Sequence, residues 1–234
     1  MKVVILCGGV GSRLAEETKL IPKPMVKIGK IPIVQHIINY YKYFGLDEFI
    51  LATGYKKNII ERYYKKNKSV QTIYTGKKTL TGGRLLRLKK YFKKNEFFLL
   101  TYGDGLSNLD INKLINFHKK HNKIATLTAV SPAARFGELK ISGNKVRKFQ
   151  EKQQFNSNWI NGGFFIFNSK IFNYISGDNI MLEREPFKKL TKANQLMAYK
   201  HSGFWQCMDT LRDKILLSKL WKEKKAPWKK NQKN

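Results

Sequence analysis

With 234 residues, 42% of them hydrophobic, the chain is long enough to build one α/β domain with a sizeable core. Its net charge of +30 comes mainly from 38 lysines spread along the chain, and because base readout relies on arginine and no nucleic-acid-binding motif occurs, we expect no nucleic-acid partner. The chain has no run of 18 apolar residues and only two cysteines, which excludes a membrane span and a disulfide framework and favours a cytoplasmic protein.

The first element is an apolar strand that runs into a glycine-rich loop. The continuous apolar run at residues 3–6 predicts a strand buried on both faces of a parallel sheet. Glycines after such a strand let backbone N–H groups approach a phosphate, and an arginine adds a planar cation. A tight turn with a solvated arginine is the alternative. The loop contains Gly8, Gly9, Gly11, Ser12 and Arg13.

Lys23 follows this loop and lies between two prolines, Pro22 and Pro24. Each proline fixes its own φ angle and biases the residue before it toward an extended backbone. We therefore expect the Lys23 side chain to be directed at a ligand.

Strands and helices alternate over the next fifty residues. After a short hairpin at 25–30, helical periodicity at 33–44 and 56–64 separates apolar runs at 48–53 and 69–74. This βαβαβ order predicts a parallel sheet with helices on both faces.

Thr81, Gly82 and Gly83 precede a predicted helix at 84–94. The first N–H groups of a helix have no partner within it, so this position suits a ligand rich in acceptors. A helix start without a ligand is an equal alternative.

Two of the six aspartates lie at predicted strand-to-helix junctions of one sheet. Asp104 comes directly after the apolar strand 96–102, where open α/β sheets bind ligands, and Asp209 precedes a predicted final helix at 210–224. Carboxylate oxygens suit Mg²⁺, which accompanies nucleotide phosphates. The sequence therefore predicts that the pair holds one Mg²⁺; two separate helix or turn caps are the alternative.

A helix at 110–121, expected to carry His118 and His121 on its surface, leads to a strand at 125–130. Strands at 137–141, 145–150 and 159–168 then follow with little helix between them, which predicts a small antiparallel lobe. Within this lobe Glu151, Lys152 and Asn161 could bind hydroxyls and a phosphate, although such residues are common in loops.

The last third of the chain returns to alternating elements. A helix is predicted from Pro186 to about residue 194, and a strand at 196–201. The basic segment from Ala226 is expected to be loosely held.

Nine short motifs occur in order along nearly the whole chain: GGVGSRL, PKPM, LTGGRL, TYGDG, RFGELKI, FQEK, INGGFF, EREPF and FWQCMDTLRDK. Each is weak alone, but the ordered set resembles the sugar-phosphate nucleotidyltransferases. LTGGRL, TYGDG and the last motif resemble the branch of that family that transfers cytidylyl groups to glucose 1-phosphate.

The resemblance implies a Rossmann-like three-layer α/β/α fold with a mostly parallel central sheet and a small antiparallel lobe. Residues 1–225 would form one domain, with a nucleotide-binding half at about 1–130 and a sugar-phosphate-binding half at about 131–225, before a basic tail at 226–234. CTP and glucose 1-phosphate would be the substrates, Mg²⁺ the cofactor, and CDP-glucose and pyrophosphate the products; a homo-oligomer is left open.

The resemblance also implies roles for individual residues. Arg13 and Lys23 would be catalytic, and Asp104 and Asp209 would hold Mg²⁺. The nucleotide would be bound by Leu6, Gly8, Gly9, Gly11, Ser12, Arg13, Thr81, Gly82, Gly83 and Gly103, and the sugar phosphate by Gly137, Glu151, Lys152 and Asn161.

Three departures from the family pattern bear on specificity. The segment 64–81 is shorter than in cytidylyltransferases, where it lies beside the nucleotide and takes part in subunit contacts. Gln153 stands where the family's EKP motif has proline. Cys7 and Cys207 replace other small or apolar residues and are expected to be reduced packing residues.

Three other functions compete with this one. A nucleotidyltransferase could use another nucleotide or another phosphorylated alcohol. A polyanion binder would use the +30 charge and bind less tightly in salt, but it would have no need for Arg13, Lys23, Asp104 and Asp209. An inactive nucleotide-binding regulator would not need the lysine and the paired aspartates either.

Overall fold

The computed structural model describes residues 1–132, 137–150 and 159–230. Its strands are β1 (Val3–Cys7), β2 (Lys27–Ile28), β3 (Ile31–Pro32), β4 (Phe49–Thr53), β5 (Val70–Tyr74), β6 (Phe97–Tyr102), β7 (Gly105–Ser107), β8 (Ala125–Val130), β9 (Glu138–Ser142), β10 (Lys145–Gln150), β11 (Ile160–Asn168), β12 (Leu196–His201) and β13 (Trp205–Cys207). Its α-helices are α1 (Ala15–Thr18), α2 (Ile33–Tyr43), α3 (Lys57–Tyr64), α4 (Thr81–Leu86), α5 (Ile111–His121), α6 (Glu185–Lys192) and α7 (Leu211–Lys222).

A seven-stranded sheet in the order β12-β8-β11-β6-β1-β4-β5 forms the centre of the protein. The pairs β1–β4, β1–β6, β4–β5 and β12–β8 are parallel, whereas β11 is antiparallel to both β6 and β8. The predicted α/β fold with a mostly parallel sheet is confirmed.

Helices cover both faces of this sheet and produce three layers. Side chains alternate along β1, so Val3, Ile5 and Cys7 pack on one face and Val4 and Leu6 on the other. Helices α2, α3, α5 and α7 contribute to the first core, and α4 and α6 to the second. Among the helices of the described residues, none has the length and apolar content required to cross a membrane.

The strand predicted at 159–168 is antiparallel as expected, but it lies within the central sheet and not in the small antiparallel lobe. Residues 160–168 form β11, which lies inside the central sheet, while β9 and β10 pair with each other in a separate two-stranded sheet. The reason lies in the apolar run Phe164–Phe167, which is buried on both faces and therefore needs the middle of a layered sheet.

The helix predicted at 84–94 is also different. Helix α4 begins at Thr81 and ends at Leu86, and residues 89–91 form a 3₁₀ turn. The N–H of Leu88 bonds to the carbonyl of Leu85, three residues back, so the chain tightens here and places both leucines in the core.

The expectation that His118 lies on the surface of α5 is wrong. His118 is buried, and the Thr126 hydroxyl oxygen lies 2.7 Å from its Nδ1 and 2.7 Å from Nε2 of the half-buried His121. His118 belongs to the same apolar stripe as Ile111 and Leu114. Burial lowers the pKa of His118 to about 4, so it is a neutral core residue near pH 7.

The expectation of a loosely held chain from Ala226 onward is wrong for Ala226 and Trp228, which are both buried. The Trp228 ring stacks on Phe204 at 5.6 Å and on Trp221 at 6.5 Å between centroids. Trp228 thereby fastens the segment that follows α7 to the first core.

Replacing Trp228 by alanine is expected to lower the free energy of unfolding by about 3 kcal/mol, because a large buried ring is replaced by a cavity. Urea denaturation followed by circular dichroism measures the change. Lys230→Ala, on an exposed side chain two residues away, is the matched control and should stay within about 0.5 kcal/mol of wild type. Equal stability of the two variants would contradict the packing role of Trp228.

Candidate active site

The carboxyl ends of β1 and β6 lie side by side at one edge of the central sheet. Leu6 pairs with Tyr102 in the parallel register, and the N–H of Gly103 donates to the Leu6 carbonyl at 3.1 Å. The glycine loop after β1 and Asp104 after β6 therefore meet at this edge, as the strand order predicts.

Asp209 reaches the same edge through a separate two-stranded ladder. Cys207 in β13 pairs with Gly105 in β7, and the N–H of Met208 donates to the Asp104 carbonyl at 2.9 Å. The sequence placed both aspartates at junctions of one sheet, whereas β7 and β13 form a sheet of their own.

A capping box at the start of α7 holds Asp209 in place. The Asp213 carboxylate accepts hydrogen bonds from the N–H groups of Asp209 at 3.1 Å and Thr210 at 2.9 Å, and the Thr210 hydroxyl accepts from the N–H of Asp213. This arrangement satisfies free N–H groups of the first turn and fixes the backbone from which the Asp209 side chain projects.

Lys23 bridges the two aspartates. Its Nζ lies 2.5 Å from Oδ2 of Asp104 and 2.5 Å from Oδ1 of Asp209, and Nη1 of the exposed Arg13 lies 2.8 Å from the other Asp209 oxygen. Burial alone would lower the pKa of Lys23, but the Asp104 charge and the hydrogen bonds to both carboxylates outweigh it and raise that pKa. Burial likewise opposes ionisation of Asp209, yet Lys23 and Arg13 hold its pKa below the ordinary value. Lys23 and Asp209 are therefore both charged near neutral pH.

The geometry of Asp104 and Asp209 fits a divalent cation that is bound together with phosphates. One carboxylate oxygen of each approaches the same point, which is here taken by the Lys23 ammonium. Within the described ranges no group of three or more histidine, cysteine, aspartate and glutamate side chains could hold a metal ion. A cation at the aspartates would therefore take its other ligands from water and phosphate, as Mg²⁺ does in nucleotide sites.

A cavity of about 390 Å³ opens between the glycine loop and the start of α4. Eight of the ten residues predicted to bind the nucleotide line it, together with Lys23 and Asp104. The eight are Leu6, Gly8, Gly9, Gly11, Ser12, Arg13, Thr81 and Gly103.

Gly82 and Gly83 are not among the residues that line this cavity. Their N–H groups both donate to the Ile180 carbonyl, at 2.9 and 3.2 Å, so the expectation of free N–H groups at these positions is wrong. A Cβ on Gly83 would come within 2.2 Å of the Asp178 backbone. These glycines therefore let α4 pack closely against residues 178–182, and Thr81 is the member of the trio that faces the cavity.

Arg84, to which the sequence analysis assigned no role, supports the glycine loop from inside the protein. Its buried guanidinium donates to the carbonyls of Gly8 at 2.9 Å, Thr53 at 3.2 Å and Gly76 at 2.7 Å, and it also bonds to Thr75 and Lys77. A Cβ on Gly8 would lie 2.0 Å from this guanidinium, so only glycine fits there. Arginine between glycine and leucine in the LTGGRL motif was the available signal.

Replacing Arg84 by methionine is expected to lower the free energy of unfolding by about 3 kcal/mol, because several buried carbonyls lose their donor. Thermal and urea denaturation measure the loss. Arg87→Met is the matched control: Arg87 is half-exposed and pairs with Asp178 at the surface, so its loss should cost at most about 1 kcal/mol. Similar losses for both variants would contradict the supporting role of Arg84.

Glu183 and Tyr102 form a further polar group beside the cavity that the sequence analysis did not single out. The Thr81 hydroxyl donates to Oε2 of Glu183 at 2.7 Å, and the Tyr102 hydroxyl donates to Oε1. Burial, followed by the Glu183 charge, raises the pKa of Tyr102, so its hydroxyl keeps the proton. Glu183 is 81 residues from Tyr102 and 102 residues from Thr81 in the chain. No local sequence pattern could therefore predict these contacts.

Of the four residues predicted to hold the sugar phosphate, Asn161 and Gly137 are described, while Glu151 and Lys152 lie outside the described residues. Asn161 Nδ2 approaches the Tyr102 hydroxyl at 3.4 Å, and its Oδ1 accepts from the N–H of Gly163 at 2.9 Å. The β11–β8 register shifts after Asn161, where Gly163 has a φ of +75°. This bulge turns Asn161 toward Tyr102 at the rim of the cavity.

Both cysteines lie near the aspartates as unpaired thiols. Burial raises the pKa of Cys7, and burial together with the Asp209 charge raises the pKa of Cys207 to about 12. Neither forms a thiolate near neutral pH, which agrees with packing roles.

Known proteins resemble this chain in sequence and in fold. Residues 2–214 match the family model described as "Nucleotidyl transferase". The glucose-1-phosphate cytidylyltransferase of Salmonella typhi is 45% identical over 98% of this chain and 99% of its own length, and the probable glucose-1-phosphate cytidylyltransferase of Bacillus subtilis is 39% identical over the same shares. These alignments span 254 positions, more than the 234 residues of this chain, so they contain gaps.

Solved structures extend the comparison. HddC from Yersinia pseudotuberculosis is 26% identical, with a TM-score of 0.76 over 94% of this chain and 99% of that one. UDP-glucose pyrophosphorylase in complex with UDP-glucose is 19% identical, with a TM-score of 0.74 over 95% and 98%. The second likeness concerns the fold alone.

Proposed function

The chain belongs to the nucleotidyl transferase family, and we propose that it transfers the cytidylyl group of CTP to glucose 1-phosphate, giving CDP-glucose and pyrophosphate. The observation that carries the reaction type is the cluster of Lys23, Arg13, Asp104 and Asp209 beside the glycine loop. The choice of substrates rests on the two cytidylyltransferase relatives, which align over nearly the full length of the chain.

The reaction is an in-line displacement at the α-phosphorus of CTP. A phosphate oxygen of glucose 1-phosphate forms the new P–O bond while the bond between the α-phosphorus and the bridging oxygen breaks, and pyrophosphate leaves with that electron pair. Because the attacking phosphate is already ionised, no side chain has to remove a proton. The protein must bring two anions together and stabilise the charge that develops.

The glycine loop and the two cations are suited to these tasks. Gly8, Gly9, Gly11 and Ser12 would surround the triphosphate with backbone N–H groups, and the exposed Arg13 would contact its oxygens. Lys23, brought to the aspartates by the turn that follows Pro22, would neutralise charge around the α-phosphate.

We propose that Asp104 and Asp209 hold Mg²⁺ together with phosphate oxygens of CTP. The ion supplies Lewis-acid neutralisation of the phosphate charge when it is bound. With an ion held there, the Lys23 ammonium would no longer be required between the carboxylates and would be available to the phosphates.

Gly137, Glu151, Lys152 and Asn161 are proposed to bind glucose 1-phosphate. Asn161 supports this role because its amide approaches the hydroxyl of Tyr102, a residue that lines the cavity. The proposal also includes a cytoplasmic location and no nucleic-acid partner.

Pyrophosphate release with glucose 1-phosphate and Mg²⁺ tests the function, with CTP, UTP, dTTP, ATP and GTP compared in parallel. A strong preference for CTP is expected. Activity with another nucleotide, or only with another sugar phosphate, would overturn the choice of substrates and leave the reaction type. Release with no pair would favour a polyanion binder or an inactive regulator.

A further inference from the structure

Glu183 accepts hydrogen bonds from two hydroxyls, those of Thr81 and Tyr102, and both of these residues line the nucleotide cavity. An ionised carboxylate can only accept hydrogen bonds. Both hydroxyl protons are therefore turned toward Glu183 and away from the cavity.

The remaining hydrogen-bonding capacity of Thr81 follows from this. A threonine hydroxyl has one proton and two lone pairs. The proton goes to Glu183 at 2.7 Å, and one lone pair accepts the N–H of Leu182 at 2.9 Å. A single lone pair is left, so Thr81 can only accept a hydrogen bond from a ligand.

The Tyr102 hydroxyl is oriented in the same way as that of Thr81. Its proton goes to Glu183, and its oxygen accepts the Asn161 amide at 3.4 Å. Glu183 thus turns two hydroxyls into acceptors, one at the start of α4 and one at the end of β6.

The cavity that Thr81 lines also has apolar side chains in its wall, among them those of Leu6, Leu80 and Met181. Apolar walls with a few placed polar groups are typical of small-molecule sites and suit a flat base better than a triphosphate. A base in this slot would meet the Thr81 oxygen as a hydrogen-bonding group.

The pyrimidine bases differ in what they present at position 4. Cytosine carries an amino group that donates hydrogen bonds, whereas uracil and thymine carry a carbonyl that accepts them. An acceptor on the protein forms a hydrogen bond with the amino group of cytosine. The carbonyl of uracil or thymine would place two acceptors opposite each other, which a site shielded from water disfavours strongly.

We propose that Glu183 is a positioning residue for base specificity: by fixing the direction of the Thr81 hydroxyl proton, it makes the site select cytosine over uracil and thymine. The inference rests on the proposed cytidylyl transfer and adds the residue that enforces it.

Glu183→Gln tests this directly. A glutamine amide accepts from one hydroxyl and donates to the other, which frees a hydroxyl proton for a 4-carbonyl. The ratio of kcat/KM for CTP to that for UTP is expected to fall about tenfold, since one part-buried hydrogen bond changes partner. Glu185→Gln is the matched control, because Glu185 is exposed and pairs only with Lys189 among the described residues; its ratio should equal that of wild type.

A merely structural role for Glu183 would lower turnover with CTP and UTP by the same factor. Because glutamine can still accept from Thr81, Glu183→Leu, which removes both acceptors, is measured beside it, and an unchanged ratio in both variants overturns the inference. If these variants do not fold, Thr81→Val and Thr81→Ser provide the same readout. The valine variant should lose the CTP preference, and the serine variant, which keeps the hydroxyl, should retain it. Retention of the preference in Thr81→Val would also overturn the inference.

The wild-type protein separates the two possible failures. If it shows no preference for CTP, the proposed function fails before any variant is made. If it prefers CTP and both Glu183→Gln and Glu183→Leu keep that preference, only the role of Glu183 is wrong.

Discussion

Replacing Asp209 by asparagine is expected to lower kcat by about a thousandfold, because the loss of a carboxylate that is proposed to hold the catalytic cation would remove several kcal/mol of charge stabilisation. Asparagine keeps the size of the side chain. Lys23 keeps Asp104 as a partner, and the N–H of residue 209 keeps its bond to Asp213. The fold should therefore survive. The measurement is the rate of pyrophosphate release at saturating CTP and glucose 1-phosphate across a range of Mg²⁺ concentrations.

Asp104→Asn should behave in the same way, since its carboxylate faces the same point from the end of β6. Asp47→Asn, on an exposed residue before β4, is the matched control and should leave the rate unchanged. Circular dichroism and the thermal midpoint check that each variant is folded. A folded Asp104 or Asp209 variant with near wild-type turnover at every Mg²⁺ concentration would remove these residues from the metal site.

The parts of the site that depend on strand order could be predicted from the sequence. An apolar run followed by glycines identifies β1 and its loop, and a second apolar run identifies β6. Because the carboxyl ends of parallel strands meet at one edge, Asp104 had to lie near Gly8 once both strands were recognised. Helix α2 could be predicted from its own residues, because its apolar positions recur with the period of a helix.

The parts that depend on contacts between distant residues could not be predicted. The hydrogen bonds of Arg84 reach back to Gly8, 76 residues earlier in the chain. The Trp228 ring lies beside His36, and its indole N–H approaches His36 Nδ1 at 3.4 Å across 192 residues. The composition of residues 226–234 is basic and polar, which predicts a loose segment. The burial of Trp228 nevertheless fixes the start of this segment on the core. Periodicity describes one element at a time and carries no information about such pairs.

The placement of β11 shows a different reason. Its sequence was read correctly as a strand, but neighbours in sequence suggested an antiparallel lobe. Phe165 and Phe167 pack on one face of the sheet while Phe164 and Ile166 pack on the other. Four consecutive large apolar residues indicate burial on both faces, and that burial was a better guide to position than chain order.

The Lys23 ammonium has two roles in the proposed site, one at the aspartates and one at the phosphates. Its ammonium lies between the carboxylates of Asp104 and Asp209, which would otherwise repel each other. In the proposed reaction the same charge is required at the phosphates. With the proposed cation present, the lysine and the cation would therefore compete for the point between the aspartates.

Lys23→Met is expected to lower kcat by at least about a hundredfold, because a preorganised charge at the reacting phosphate is lost while the apolar stem is retained. Without nucleotide, the same variant should bind Mn²⁺ about tenfold more tightly than wild type, since a competing cation has been removed. Pyrophosphate release measures the first effect, and titration calorimetry or electron paramagnetic resonance measures the second. Lys27→Met, on the exposed lysine of β2, should change neither.

The two readouts separate the two roles of Lys23. Full activity in the variant would exclude a catalytic role, whatever happens to the metal. Lost activity with unchanged Mn²⁺ affinity would show that the ammonium acts on the phosphates without competing for the aspartates. We expect Lys23→Met to lose activity and to bind Mn²⁺ more tightly. Both results follow if the Lys23 ammonium serves the phosphates during the reaction and otherwise occupies the point between the two carboxylates.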